Sequence, residues 1–181
     1  MSNTLSPQDL KNEGLRLFQQ GSHSEALRTF EQAAAAFAAQ DDISSQAEMF
    51  NNMGVILRVQ GKMDTAVSTL TQAADLFAQM GDHSRHAQAL GNLGDLYAQQ
   101  KEYAEAARCY SDATQEFAQS NEKEKQAQVL RALSLMELRR GQYLAAIMRM
   151  NESLQVRPRL SIPQHLFKWL LRFTTKLLRG E

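Results

Sequence analysis

The chain has 181 residues, 43% of them hydrophobic and 22% charged, and this composition excludes wholesale disorder. Its 20 basic and 20 acidic side chains sum to a net charge of zero, which argues against nucleic acid as the main ligand. Cys109 is the single cysteine, so an intramolecular disulfide and a multi-thiolate zinc site are excluded. The polar first ten residues predict no signal peptide, and no run of eighteen apolar residues occurs. We therefore expect a cytoplasmic protein.

Residue types recur along the chain with a period of 40 positions, which is the signature of a repeat architecture. Small residues mark the register of the repeat at Gly14, Gly54, Gly94 and Ser134. Seven positions later stand Gly21, Gly61, Lys101 and Gly141. Five positions after these come Ala26, Ala66, Ala106 and Ala146. The small residues permit close packing of a partner helix, and the second set of positions suits the left-handed end of a helix.

The pattern predicts eight helices in four antiparallel pairs. We expect 7–20 with 23–39, 43–60 with 63–79, 83–100 with 103–119, and 123–140 with 143–156. The predicted organisation is a domain over residues 1–158, followed by a proline linker and an amphipathic helix over 159–181. The predicted repeats cover residues 7–40, 43–80, 83–120 and 123–158.

These residues resemble the tetratricopeptide repeat. The third unit matches that family's pattern best, with Leu90, Leu93-Gly94, Tyr97, Ala106, Tyr110 and Ala113. The fourth unit departs from it, because Ser134 replaces the glycine and Glu137 replaces the tyrosine. The usual period is about 34 residues, and the longer period here is similar to that of kinesin light chains, spindle adaptors with Leu-Gly-Asn motifs and many bacterial regulators. The resemblance implies a right-handed α-solenoid that binds a protein or peptide in a concave groove without catalysis.

Three asparagines occupy one register position, two residues before the small residue: Asn12, Asn52 and Asn92. By resemblance to the long-repeat family, these amides form a ladder that grips the main chain of a peptide ligand. The alternative is that each asparagine braces a neighbouring helix. Lys11, Arg58 and Arg131 are further candidates for the groove, and the two arginines, with Arg139, suit an acidic ligand. The alternative for each of them is an ordinary solvated helix face.

The end of the chain carries a separate signal. Residues 157–181 contain six Lys or Arg side chains against the single Glu181, whereas residues 1–156 contain 14 basic and 19 acidic ones. Wound as a helix, residues 162–179 place one basic stripe beside a wide apolar face. The candidate docking residues there are Lys168, Trp169, Arg172, Phe173, Lys176 and Arg179. The helix could cap the last repeat, dock on an anionic membrane surface or a partner, or mediate self-association.

No constellation of catalytic or metal-ligating residues stands out in the sequence. His83 and His86 are close together, but no carboxylate or cysteine at ligand spacing completes a metal site. Cys109 is expected to be a partly buried structural thiol. We therefore predict no enzyme, no metal and no cofactor. The predicted function is that of a protein-interaction adaptor, and the alternative is a peripheral membrane scaffold or assembly factor anchored by the basic helix.

Overall fold

The structure, a computed structural model, describes residues 5–157. Over this range the chain is all-α, with eight helices that confirm the predicted bounds to within one residue. They are α1 Pro7–Gln19, α2 His23–Ala38, α3 Ile43–Val59, α4 Met63–Gln79, α5 His83–Gln100, α6 Tyr103–Gln119, α7 Lys123–Arg139 and α8 Tyr143–Val156. The grouping of these helices into four repeats stays a prediction. The predicted C-terminal helix and its candidate docking residues Lys168 to Arg179 lie outside the described residues.

Left-handed residues end seven of the helices at intervals of 20 positions. They are Gly21, Asp41, Gly61, Gly81, Lys101, Asn121 and Gly141, with φ between 55° and 80°. After α1, the Gly21 amide donates to the Phe18 carbonyl oxygen and the Ser22 amide donates to the Leu17 carbonyl oxygen, each at 3.0 Å. This pair of bonds is a Schellman motif, which satisfies the last carbonyls of the helix and reverses the chain within three residues. Consecutive helices so connected pack as antiparallel neighbours.

The chain divides into two compact units between Leu96 and Tyr97. In the first unit, α1 packs on α2, α2 on α3, and α3 on α4. The register glycines have the predicted role there. A Cβ atom added at Gly14 would lie 2.6 Å from the Phe30 ring, and one at Gly54 would lie 2.5 Å from Leu70 Cγ. Any side chain at these positions would overlap a fully buried side chain of the facing helix.

The second unit packs α6 on α7 and α7 on α8, around a cluster of Ala106, Tyr110, Leu133 and Met136. No glycine stands at the register position of α7, where Ser134 is buried and hydrogen-bonded to the next helix. Such a bond is the requirement for placing a hydroxyl in a helix interface.

The Glu137 carboxylate also lies in the second unit and is only 8% exposed, at the position where the repeat pattern calls for tyrosine. Its nearest cation is the Arg140 guanidinium, at 3.6 Å. Arg140 in turn lies over the Tyr103 ring, 5.3 Å from its centroid. A buried carboxylate therefore replaces an aromatic packing residue in α7, and a neighbouring arginine offsets its charge.

Candidate functional site

A cavity of about 270 Å³ opens in the first unit between α3, α4 and α5. It is lined by Glu48, Asn51, Asn52, Phe77, Arg85 and Gln88. We call it the Asn52 cavity. The residues from α3 and α5 are spaced by three or four positions, which places them on one face of each helix. The walls are therefore mostly polar, with the Phe77 ring contributing an apolar surface from α4.

Two of the polar side chains that line the cavity, Glu48 and Asn51, are bonded to side chains of other helices. The Lys11 ammonium of α1 lies 2.7 Å from the Glu48 carboxylate of α3. The Asn92 amide of α5 donates to the Asn51 side-chain oxygen of α3 at 2.9 Å. Each contact joins residues roughly 40 positions apart, so the repeat register itself brings these side chains together. Lys11, Glu48, Asn51 and Asn92 thus fix adjacent helices on the face that bears the cavity.

Arg85 is held on three sides. Its guanidinium pairs with Asp82 one turn earlier, and Nη1 donates to the Ser44 hydroxyl at 2.8 Å. The guanidinium also stacks over the Phe77 ring at 5.0 Å from the centroid, a cation–π geometry. The pKa of Asp82 is lowered, because two effects of Arg85 outweigh the rise that burial would cause. These effects are a hydrogen bond from the backbone N–H and the contact with the guanidinium. These contacts hold the Arg85 guanidinium in place at the cavity, and Asp82 neutralises its charge.

The Asn52 amide differs from its neighbours in the cavity. It is half-buried, and among the described residues 5–157 it has no hydrogen-bond partner. A side-chain amide offers two donor hydrogens and an acceptor oxygen, the same groups that a peptide main chain presents in complement. The cavity therefore contains one polar side chain whose hydrogen-bonding capacity is unused, surrounded by polar side chains whose capacity is largely taken.

The three register asparagines have three different environments. Asn12 is exposed and accepts a hydrogen bond from Gln8 one turn earlier, at 3.1 Å. Asn92 links α5 to α3, in agreement with the bracing alternative, and Asn52 lines the cavity. The ladder over all three remains a prediction.

The other predicted groove residues also have different environments. Lys11 is engaged by Glu48 and is not available as a free cation. Arg58 is half-buried, with an Nε atom that has no hydrogen-bond partner. Arg131 lies exposed on α7, in the second unit, and is not among the residues that line the Asn52 cavity.

Three of the lining residues were not predicted from the sequence: Glu48, Phe77 and Arg85. One signal could have identified the first of them: Glu48 shares a register position with Gln88, four residues before the asparagine. Residues four apart on a helix lie on the same face, so a residue at this position accompanies the register asparagine into the same cavity. Phe77 was not identifiable in this way, because it lies on α4 whereas the other lining residues lie on α3 and α5.

The described residues offer little for catalysis. Cys109 is buried in α6, and burial raises the pKa of its thiol to about 11, which keeps it protonated at neutral pH. Over the described range, no group of three or more His, Cys, Asp or Glu side chains is placed to hold a metal ion. No helix within that range is long and apolar enough to span a membrane.

Comparison with known proteins finds a matching family model and a similar solved structure. A family model described as "Tetratricopeptide repeat" matches residues 45–115. No curated protein matches the chain. Among solved structures, the crystal structure of BtubC (BKLC) from P. vanneervenii is similar, with a TM-score of 0.75 and 17% sequence identity. The similarity covers 88% of this chain and 71% of that one, and it supports the all-α helical-repeat fold.

Proposed function

We propose that the chain is a non-catalytic adaptor that binds a peptide segment of a partner protein in the Asn52 cavity, since residues 45–115 match the tetratricopeptide-repeat model. Repeats of this class are generally protein-interaction modules, whose stacked helix pairs present extended binding surfaces. The finer assignment to the Asn52 cavity rests on the geometry of the first unit.

The observation that carries the proposal is the unused amide of Asn52. Because the Asn52 amide is half-buried and bonds to no other described residue, a ligand can form hydrogen bonds with it without breaking a contact of the protein. An asparagine side chain can donate to the C=O and accept from the N–H of one residue of an extended chain, because these two groups point to the same side of that chain. A main chain that passes over the cavity would therefore bind there with little regard for its side-chain sequence.

The charge of the cavity favours a neutral ligand group. Glu48 is balanced by Lys11, and Arg85 is balanced by Asp82. A charged group in the cavity would have to disrupt one of these pairs, whereas a peptide unit would not.

The cavity volume of about 270 Å³ lies just below the roughly 300–1,000 Å³ of small-molecule pockets. Space of this size accommodates one or two residues of a bound chain, with the rest of the chain lying outside.

The experiment is a peptide selection. A random peptide library displayed on phage is selected against the full chain, and the enriched peptides are synthesised and measured by isothermal calorimetry. Asn52→Ala is expected to weaken them about tenfold or more, a loss of about 1.4 kcal/mol. Asn12→Ala is the matched control, since it removes the same side chain at the same register position but outside the cavity, and it should leave affinity unchanged.

The Asn92→Ala variant separates binding from bracing. Because Asn92 donates to Asn51, its removal should lower the free energy of unfolding by about 1 kcal/mol. Asn52→Ala should leave thermal unfolding unchanged. Selected peptides that bind the Asn52→Ala and wild-type chains equally would show that the cavity is not the binding site.

A further inference from the structure

Helix α7 exposes two large apolar side chains to solvent. Leu135 is 41% exposed and Leu138 is 49% exposed. They share an arc of about 100° on α7 with Gln128, Arg131 and Arg139, all of which are exposed. We call these five residues the α7 stripe. The stripe lies on the side of the helix opposite Leu130, Leu133 and Met136, which are buried in the second unit. Helix α7 therefore buries one apolar face and presents part of a second.

Within the described part of the chain, no acidic side chain pairs with the arginines of the α7 stripe. Among residues 5–157, neither the Arg131 nor the Arg139 guanidinium has a hydrogen-bond or ion-pair partner. Three neighbouring cations of the second unit are paired: Lys125 with Glu122, Arg140 with Glu137 and Arg149 with Glu152. Glu124, which lies on the same arc one turn before the stripe, is held by Arg157 at 3.3 Å. The stripe thus carries two uncompensated positive charges that flank two exposed leucines.

We propose that the α7 stripe binds an acidic amphipathic helix of a partner protein. The partner's carboxylates pair with Arg131 and Arg139, and its apolar side chains pack on Leu135 and Leu138 between them. Arg131 and Arg139 are eight residues apart, a rise of about 12 Å, so the matching acids stand two helical turns apart on the partner, with leucine-sized residues between them. The guanidinium forks give orientation, and the leucines give buried apolar area. This inference rests on the proposed function as an adaptor, but it concerns residues of the second unit and not the Asn52 cavity of the first.

Charge and the width of the apolar face favour this occupant over two others. Residues 157–181 of the chain itself carry six basic side chains against one acid, so they would meet the two arginines with like charge. A membrane-interface helix presents a wide apolar face with aromatic side chains that enters the lipid. The α7 stripe offers two leucines, which match the narrow apolar seam of a helix–helix contact.

The test uses the full chain and a synthetic probe. The probe is a fluorescein-labelled amphipathic peptide of about 18 residues, or five helical turns, with leucines at helical spacing and glutamates on both sides of them. Binding is followed by fluorescence anisotropy, and a second peptide with lysine in place of every glutamate serves as the charge control. Arg131→Glu/Arg139→Glu and Leu135→Ala/Leu138→Ala should each weaken binding about tenfold or more, with circular dichroism unchanged. Raising the salt concentration should weaken wild-type binding.

The matched control is Leu144→Ala/Met148→Ala on α8. These side chains are 55% and 42% exposed, which is similar to the exposed fractions of Leu135 and Leu138. The control should bind the probe as the wild type does. Failure of the probe to bind, or equal binding by all variants, would overturn the proposal. A membrane surface would be indicated instead by a third result. The wild-type chain would sediment with vesicles of phosphatidylserine and phosphatidylcholine, the Arg131→Glu/Arg139→Glu variant would not, and neither would bind the probe.

The outcome is separable from that of the proposed function. If selected peptides depend on Asn52 while the acidic probe ignores the α7 stripe, the adaptor proposal stands and this inference fails. If neither surface binds a peptide, both proposals fail.

Discussion

The Ser134 hydroxyl donates a hydrogen bond to the main-chain carbonyl oxygen of Ala146, across the α7–α8 interface, at 2.7 Å. Ser134 is buried and occupies the register position at which α1 and α3 have glycine. In those helices the facing residue is a large side chain, Phe30 or Leu70. In α7 a hydroxyl fills the same position and bonds to the facing backbone, so a polar contact replaces a purely steric one.

Replacing Ser134 tests the contribution of that bond. Ser134→Ala should lower the free energy of unfolding by about 1 kcal/mol, the usual net worth of an intramolecular hydrogen bond. Urea denaturation provides the measurement. Ser111→Ala, at an exposed position of α6, corrects for the better helix propensity of alanine. Equal unfolding free energies for the two alanine variants would mean that the buried bond contributes nothing.

Gly14 provides a second test, because its expected effect opposes helix propensity. Alanine is about 1 kcal/mol better than glycine inside a helix, yet a Cβ at Gly14 would lie 2.6 Å from the Phe30 ring. We expect Gly14→Ala to destabilise the chain by about 1–3 kcal/mol through overpacking. The double variant Gly14→Ala/Phe30→Leu should be more stable than the sum of the single variants implies, which a double-mutant cycle measures. A stabilised Gly14→Ala chain would refute the close-approach role.

Lys101 offers a stabilising change. Its φ is 65°, in the same Schellman position that glycine occupies at Gly61, where φ is 76°. For a residue with a Cβ this conformation costs about 1–2 kcal/mol more than it does for glycine. Lys101→Gly should therefore raise the free energy of unfolding by about 0.5–1 kcal/mol, after the greater freedom of glycine in the unfolded chain is deducted. The mirror variant Gly61→Lys should lower it by a similar amount. Chemical denaturation measures both changes in the free energy of unfolding, which should have opposite signs. A destabilised Lys101→Gly chain would contradict the assignment of Lys101 to the Schellman position.

Asp82 links stability to pH. Its folded-state pKa is lowered, so its ionised form stabilises the fold above the unfolded pKa, and this contribution disappears as the pH falls through the folded value. Asp82→Asn keeps an N-cap acceptor for the Arg85 amide but loses the charge. Above about pH 5 the variant should be less stable than the wild type, by on the order of 0.5 kcal/mol for a partly exposed pair. The difference should disappear as the pH falls through the folded-state pKa of Asp82.

Thermal unfolding at several pH values measures the Asp82 effect. Asp75→Asn, on the exposed side of α4, is the comparison. If the two variants show the same pH profile, the contact with Arg85 is not the cause.

The sequence predicted the helices well because their ends are encoded locally. Gly21, Gly61 and Gly141 mark left-handed ends, and the 40-residue register transfers this information to Lys101, which propensity alone would not identify. The role of the register glycines was predictable for the same reason. The spacing of small and large residues on facing helices is visible in the sequence, and packing follows from it.

The candidate site was less predictable, because it depends on contacts between neighbouring pairs. Asn52 and Asn92 occupy the same register position, yet only Asn92 is bonded to Asn51. Lys11 is a free groove cation in the sequence and an ion-pair partner of Glu48 in the structure. The hydrogen-bond state of each amide and the pairing of each charge depend on side-chain positions of the adjacent helix, and a one-dimensional register does not contain them.

The left-handed residues at 20-residue intervals make the chain divisible into interchangeable lengths. If residues 41–80 were removed, Gly81 would follow Gln40 and take the place of Asp41, another residue with positive φ. The chain reversal at the junction would keep its geometry, and no loop would need redesign. Duplication of residues 41–80 would lengthen the chain and preserve the chain reversal in the same way. The protein can therefore gain or lose a whole helical hairpin in a single genetic event, and the number of hairpins is free to vary while the joints between them stay constant.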